Sequence, residues 1–208
     1  MVIVVILSMI SIIAFAQKET PQELLQRASD KINAYKTMSA NFVYTLENTG
    51  ANLTDSQTGK LTLKGDKYIL ELGKQIIIND GKTIYTILKD AEEIQVNNAA
   101  DMDDLLSPNK ILTEYYQKFK AKSVTNKTIK GIPSQVIELD AGKDKDFSSA
   151  TLIIAKSDLS PKELQLIDKK GTKYIYQINN FKANNPIDDA EFTFNKNDYS
   201  GFEVIDMR

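Results

Sequence analysis

The chain has 208 residues, 42% of them apolar and 26% charged, and it carries no Cys, His or Trp. These absences exclude a disulfide scaffold, thiolate zinc sites, a Cys nucleophile, a lipidated N-terminal Cys, a Ser-His-Asp triad and imidazole acid–base chemistry. A net charge of −2 supplies no basic stripe for a polyanion, so no nucleic-acid partner is expected, and only a carboxylate enzyme or an oxygen-ligand metal site survives among the chemistries.

Residues 1–16 carry no charged side chain, and only Ser8 and Ser11 interrupt the apolar run. The run ends in Ala14-Phe15-Ala16, a small-x-small pattern suited to signal peptidase, with Gln17 as the new N-terminus. It is short for a membrane span, which needs about 20 residues. The usual basic n-region is missing. The expectation is a signal peptide over 1–16 and one domain over 17–208, placed in the periplasm.

Thr20-Pro21 opens a helix, with Thr20 as N-cap, Pro21 at N1 and Glu23 closing a capping box. Leu24, Leu25, Ala28, Ile32 and Tyr35 give it one apolar face, and it is expected to end near Tyr35. From Met38 the period changes to two: Met38, Ala40, Phe42, Tyr44 and Leu46 share one face of a strand. The polar, glycine-containing stretch 48–58 reads as a loop. Strands follow at 59–64 and 67–72 around Gly65-Asp66, then at 75–79 and 83–88 around Asp80-Gly81, a strong hairpin signal. Glu92 and Glu93 read as solvated loop charges.

Residues 101–106 and a segment opened by Ser107-Pro108 read as two further short helices, the second with Ile111, Leu112, Tyr115, Tyr116 and Phe119 on its apolar face. The acidic group Asp101, Asp103 and Asp104 fits a helix N-terminus better than a cation site. Strands resume over 120–129, 132–139, 150–155, 162–168 and 172–178, with Phe181 closing the last of these and a short stretch beginning at Glu191. Ten or eleven strands joined by hairpins make an antiparallel sheet, and a sheet that long must curl or close. The fold class is α+β, mainly β.

Phe42, Tyr44, Tyr68, Tyr85, Tyr174 and Tyr176 make the strand faces aromatic. Two readings stay open at this level. Either sheet and helices pack into a filled core, or they enclose a hydrophobic cavity for a lipid. Periodicity cannot separate them, because both bury the same face.

Five motifs in chain order carry a resemblance. They are Met38-Ser39-Ala40-Asn41-Phe42, Gly59-Lys60-Leu61-Thr62-Leu63-Lys64, Ile78-Asn79-Asp80-Gly81-Lys82-Thr83-Ile84-Tyr85, the turn Asp168-Lys169-Lys170-Gly171, and Ala190-Glu191-Phe192-Thr193-Phe194. Residues 17–208 thereby resemble the outer-membrane lipoprotein carrier family, LolA-like. The resemblance implies an incomplete, half-open antiparallel β-barrel of about eleven strands with a lid of about three short helices. It implies a monomeric periplasmic carrier, neither an enzyme nor a cofactor protein. Such a carrier takes acylated lipoproteins from an inner-membrane ABC-type release complex and delivers them to the outer membrane, where a receptor is a further partner. With alternation, it nominates Phe42, Tyr44, Leu61, Leu63, Tyr68, Leu70, Ile78 and Tyr85 as cavity residues. It nominates Leu106, Ile111, Leu112 and Tyr115 as lid residues. One position departs from the family pattern: the arginine that is thought to hold the lid closed is Gly65 here, and the following proline is Asp66, leaving Lys64 or Lys67 as substitutes without a planar fork.

Two other function classes compete. A periplasmic lipid-binding or lipoprotein-sensing module with the same half-barrel would use the same face. A carboxylate enzyme such as a glycosidase would need two carboxyl groups roughly 5–9 Å apart in a cleft. Alternation turns Glu71 and Glu138 outward, which argues against it.

Overall fold

The computed structural model describes residues 19–101, 119–142 and 146–208. Its helix α1 spans Pro21–Asn33. Thr20 Oγ1 accepts the Glu23 N–H at 3.2 Å and the Glu23 carboxylate accepts the Thr20 N–H at 2.8 Å, so two otherwise orphaned donors are satisfied reciprocally. Leu24, Leu25, Ala28 and Ile32 form the buried stripe. Ala34 caps the end, a residue short of the expected Tyr35.

Two meanders follow. The first comprises β1 (Thr37–Asn48), β2 (Leu53–Lys64), β3 (Lys67–Leu72), β4 (Gln75–Asn79), β5 (Thr83–Leu88) and β6 (Glu93–Asn98). The second comprises β7 (Lys120–Ile129), β8 (Ile132–Asp140), β9 (Phe147–Ala155), β10 (Pro161–Asp168) and β11 (Lys173–Ala183). β11 pairs antiparallel with β1, fusing the meanders into one sheet. A last strand, β12 (Glu203–Asp206), lies parallel on β6. The order is β12-β6-β5-β4-β3-β2-β1-β11-β10-β9-β8-β7, twelve strands in a mixed sheet whose two edges do not pair. The expected mainly-β half-open architecture is therefore present, with one more strand than expected and one parallel pairing.

The sheet has two faces with different covers. On the first, here the inner face, α1 packs beside β7 over a core that includes Met38, Leu61, Leu63, Tyr68, Ile137, Leu139, Leu152, Leu164 and Leu166. Gln22 of α1 accepts the Ala121 N–H at 2.9 Å, so the helix also satisfies one edge donor of β7. On the outer face, Ile78, Ile87, Ile94 and Val96 form a second, smaller core. Phe194, Tyr199 and Phe202 of the C-terminal segment cover it.

Three sequence expectations change. Residues 53–58, expected as loop, are strand: Leu53–Thr58 pair with Val43–Asn48 in an exposed arm. Apart from the exposed Leu53 the side chains of 53–58 are polar on both faces, so no alternation marks the stretch, and backbone pairing carries it, with a Thr45–Ser56 hydroxyl contact of 2.9 Å. Glu93, expected in a loop, starts β6, whose apolar signal is only Ile94 and Val96. Glu191 and Phe192, expected to begin a last strand, lie in a 3-10 helix over Asp189–Phe192 capped by Asp188. The expected signal peptide, all but Phe119 of the helix starting at 107 and all but Asp101 of the 101–106 helix lie outside the described residues; Phe119 is buried just ahead of β7 rather than in a helix.

Candidate apolar binding face

Strand pairing decides which candidates share a face. Tyr68 opposes Leu63, Leu70 opposes Leu61, and Phe42 opposes Gly59, so Phe42, Tyr44, Leu61, Leu63, Tyr68 and Leu70 all stand on the inner face. Leu61, Leu63 and Tyr68 are buried there. Phe42, Tyr44 and Leu70 are half-buried. Burial falls along β1, from a buried Met38 to a half-buried Leu46.

Ile78 and Tyr85 do not belong to this set. The β3–β4 turn pairs Leu72 with Gln75, so Leu70 faces Ile77 and Ile69 faces Ile78. Tyr85 pairs with Ile78 and points the same way. Both residues sit on the outer face, where Tyr85 stacks on Phe194 with ring centroids 4.3 Å apart and planes 15° apart. The physical reason is the parity flip of a two-residue turn: even-numbered residues on β3 share a face with odd-numbered ones on β4. The lid candidates Leu106, Ile111, Leu112 and Tyr115 lie outside the described residues.

The same pairing adds residues that were not among the cavity candidates, two of them, Tyr174 and Tyr176, already marked as strand-face aromatics. Leu72 and Ile77 join the inner face beside Leu70. Tyr174, Tyr176 and Ile178 of β11 join it beside Leu46, Tyr44 and Phe42. All are half-buried. The aromatic rings touch: Tyr44 and Tyr176 lie 5.2 Å apart, and Phe42 and Tyr176 6.3 Å. Tyr174 meets the edge of Phe147 at 6.1 Å. The result is a continuous aromatic and aliphatic strip across β11, β1, β3 and β4.

Gly59 shapes this strip. A Cβ there would lie 2.3 Å from Phe42 Cζ and 2.7 Å from Cε1 and Cε2, so the ring of Phe42 occupies the space a side chain would take. The ring covers the glycine backbone and lies across β2. Burial, with the nearby Tyr174 and Asp55, raises the Tyr44 hydroxyl above its ordinary pKa of 10. Burial and the Asp168 carboxylate raise Tyr174 likewise, and its hydroxyl donates to Asp168 Oδ2 at 3.3 Å. Both hydroxyls therefore stay neutral at physiological pH.

The two lysines beside Gly65 are held elsewhere. Lys64 Nζ lies 2.6 Å from Asp189 and donates to the Ile187 carbonyl at 2.7 Å, and Lys67 Nζ lies 3.1 Å from Asp189. These bonds tie the C-terminal segment to the outer side of the sheet. Because both cations hold Asp189, its carboxyl titrates below the usual 3.8. A groove of about 940 Å³ beside them sets Ala34, Pro186 and Ile187 among Lys36, Lys64, Asp188 and Glu191, and those four charges do not suit an acyl chain.

No catalytic pair forms among the described residues considered at sequence level. Glu71 pairs with Lys60 at 3.5 Å, and Glu138 accepts from the Ser123 hydroxyl at 2.9 Å. Five strands separate β3 from β8. Among the described residues, no group of three or more acidic side chains could hold a metal ion.

A protein-family model described as "Outer membrane lipoprotein carrier protein LolA" matches residues 33–195. No curated protein matches the chain in sequence. An uncharacterized conserved protein from Thermus thermophilus is similar in fold, with TM-score 0.59 and 11% identity over 90% of this chain and 99% of that one. Lipoprotein LppX from Mycobacterium tuberculosis is similar with TM-score 0.51 and 11% identity over 81% and 97% of the two chains. A LolA superfamily protein from Nitrosomonas europaea aligns with TM-score 0.43 and 13% identity over 85% and 98%.

Proposed function

The chain belongs to the outer membrane lipoprotein carrier family, and from that premise we propose that it is a periplasmic carrier shielding the acyl chains of lipoproteins on their way from the inner to the outer membrane. The observation that carries this reading is the half-buried strip of Phe42, Tyr44, Tyr176, Leu70 and Ile77 on the helix-bearing face. A filled core would bury these side chains. An apolar face left accessible marks a surface for an apolar partner. Shielding a dozen methylenes is worth about 10 kcal/mol, enough to draw an acyl chain out of water.

In this proposal residues 1–16 direct export and 17–208 form the carrier domain. Loading is from an inner-membrane ABC-type release complex, and delivery is to an outer-membrane receptor. The inner-face residues Phe42, Tyr44 and Leu70 contact cargo, Leu61, Leu63 and Tyr68 support them from beneath α1, and the segment with Leu106, Ile111, Leu112 and Tyr115 closes over the chains. The LppX likeness supports the fold on which this reading is built.

The test is native mass spectrometry of the protein purified from the cell envelope, with a parallel titration by diphenylhexatriene, an uncharged hydrocarbon probe. Co-purified acylated cargo and saturable probe binding are expected. Absence of both would overturn the proposal.

A further inference from the structure

The inner face is apolar over β1, β3, β11 and the 59–63 half of β2, and gains polar side chains over β4 to β6. Following the pairing outward, Leu61 opposes Leu70, Leu70 opposes Ile77, Ile77 opposes Thr86, and Thr86 opposes Gln95. One register step away, Tyr68 opposes Asn79, Asn79 opposes Ile84, and Ile84 opposes Asn97. Thr86, Gln95, Asn79 and Asn97 thus form a polar patch on the same face as the apolar strip and continuous with it. With strands about 4.8 Å apart, Thr86 stands roughly 10 Å from Leu70.

The chemistry of this patch is specific. Thr86 is only 9% exposed, and its hydroxyl has no hydrogen-bond partner among the described residues. Its oxygen remains reachable, since the fully enclosed, unpartnered side-chain oxygen among the described residues is Ser160 Oγ. Asn79 Oδ1 accepts the Gly81 N–H at 2.8 Å, leaving its amide hydrogens to donate. Gln95 donates to Glu93 at 2.6 Å, leaving its carbonyl and second hydrogen. The inner-face positions of β4, β5 and β6 include no Lys or Arg, and their one charge is Glu93. A phosphate would meet no cation there. Neutral carbonyls would meet amide and hydroxyl donors.

We infer that Thr86, Gln95, Asn79 and Asn97 form a subsite for the uncharged ester and amide carbonyls at the glyceryl end of an acylated ligand, whose chains run onto Ile77, Leu70 and Phe42. The inference rests on the carrier reading and adds the orientation of the cargo: linkage region toward β5 and β6, chain ends toward β1 and β11. It also sets selectivity, favouring an acylated cysteine peptide over an anionic phospholipid.

The test compares three probes on residues 17–208, a diacylglyceryl N-acyl cysteine peptide, diphenylhexatriene and phosphatidylglycerol. Thr86→Val preserves shape while removing the hydroxyl, and Gln95→Leu, at a half-exposed site, is a second variant for which folding is secure. Each is expected to weaken the lipopeptide about tenfold, the loss of roughly one buried hydrogen bond, with the hydrocarbon probe changed less than about twofold. Thr86→Ser is expected to restore lipopeptide binding. Equal weakening of both probes, or no change in either, overturns the subsite while leaving the carrier reading intact. Failure of the unmodified protein to bind either probe overturns both. Equal affinity for a phosphatidylglycerol probe overturns the selectivity.

Discussion

Gly59→Ala separates a binding surface from a core more sharply than any truncation. The glycine sits in β2 without a positive φ, so its backbone accepts a side chain. The obstacle is the Phe42 ring, 2.3 Å from where the new Cβ would stand. Phe42 must rotate away and give up its contact with Tyr176, worth about 0.5–1.5 kcal/mol. Replacing a strand glycine returns about 0.5–1 kcal/mol. The two nearly cancel, so net stability should change by less than about 1 kcal/mol, and Tm by no more than ~2–4 °C for a chain of this size. The displaced ring, however, stands up in the strip where an acyl chain would lie. Hydrocarbon-probe affinity should fall about tenfold, equivalent to ~1.4 kcal/mol. Thermal denaturation and probe titration on the same sample read both quantities. A Tm drop beyond about 5 °C with unchanged binding would show that Phe42 is structural packing, and the site would have to be sought elsewhere.

Tyr68→Ala should destabilise by about 3–5 kcal/mol in urea melts, because Tyr68 is 2% exposed within the inner core, whereas Tyr44→Ala at its half-exposed site should lose probe binding with a much smaller stability change. Removing residues 196–208 takes Tyr199, Phe202 and β12 off the outer face and exposes Ile87 and Ile94, both fully buried; each contributes about 1.5–3 kcal/mol, so a large loss of stability is expected, and an unchanged urea midpoint would contradict the second core. Asp189 is held below 3.8 by hydrogen bonds from Lys64 and Lys67, so its contribution to docking of the C-terminal segment is complete above about pH 4 and disappears as pH falls through that lowered value. Near-ultraviolet circular dichroism of the Tyr85–Phe194–Tyr199 stack should hold steady from pH 7 to about 4 and decline below it, and Asp189→Asn should remove that decline by lowering the signal throughout.

Much of the fold was written in local signals. The capping box at Thr20 and Glu23 and the Asp80-Gly81 turn both form as read, the latter with Asp80 Oδ1 accepting the Lys82 and Thr83 N–H groups at 2.8 Å each. Each signal is chemistry confined to four residues, which is why a sequence displays it. The arm at 53–58, strand β6 and strand β12 lack such signals. Their side chains are polar or too few to alternate: 53–58 and β6 are held by backbone pairing to the strand just before each, and β12 by a partner distant in the chain, with Glu203 N–H on the Glu92 carbonyl at 2.8 Å.

The candidate face was legible only in part, for a reason that applies to any meander. Period-two alternation states which residues of one strand share a face, but carrying that assignment to the next strand depends on the parity of the turn. Across Gly65-Asp66 the pairing of Leu63 with Tyr68 was anticipated by the pattern of apolar residues. Across Gly73-Lys74 the apolar run Ile76-Ile77-Ile78 offers both faces equally, and only the Leu72–Gln75 pairing assigns Ile77 inward and Ile78 outward. That ambiguity is itself informative. A strand apolar on both faces must be covered on both, and β4 is the strand where the inner strip and the C-terminal segment lie back to back. Anything that shifts β4 to fit a ligand on Ile77 must also move Ile76 and Ile78 beneath the residues that end in Phe194, Tyr199 and Phe202. The outer core therefore sets the stiffness of the floor on which cargo would rest, and the truncation at 195 should soften that floor as well as destabilise the sheet.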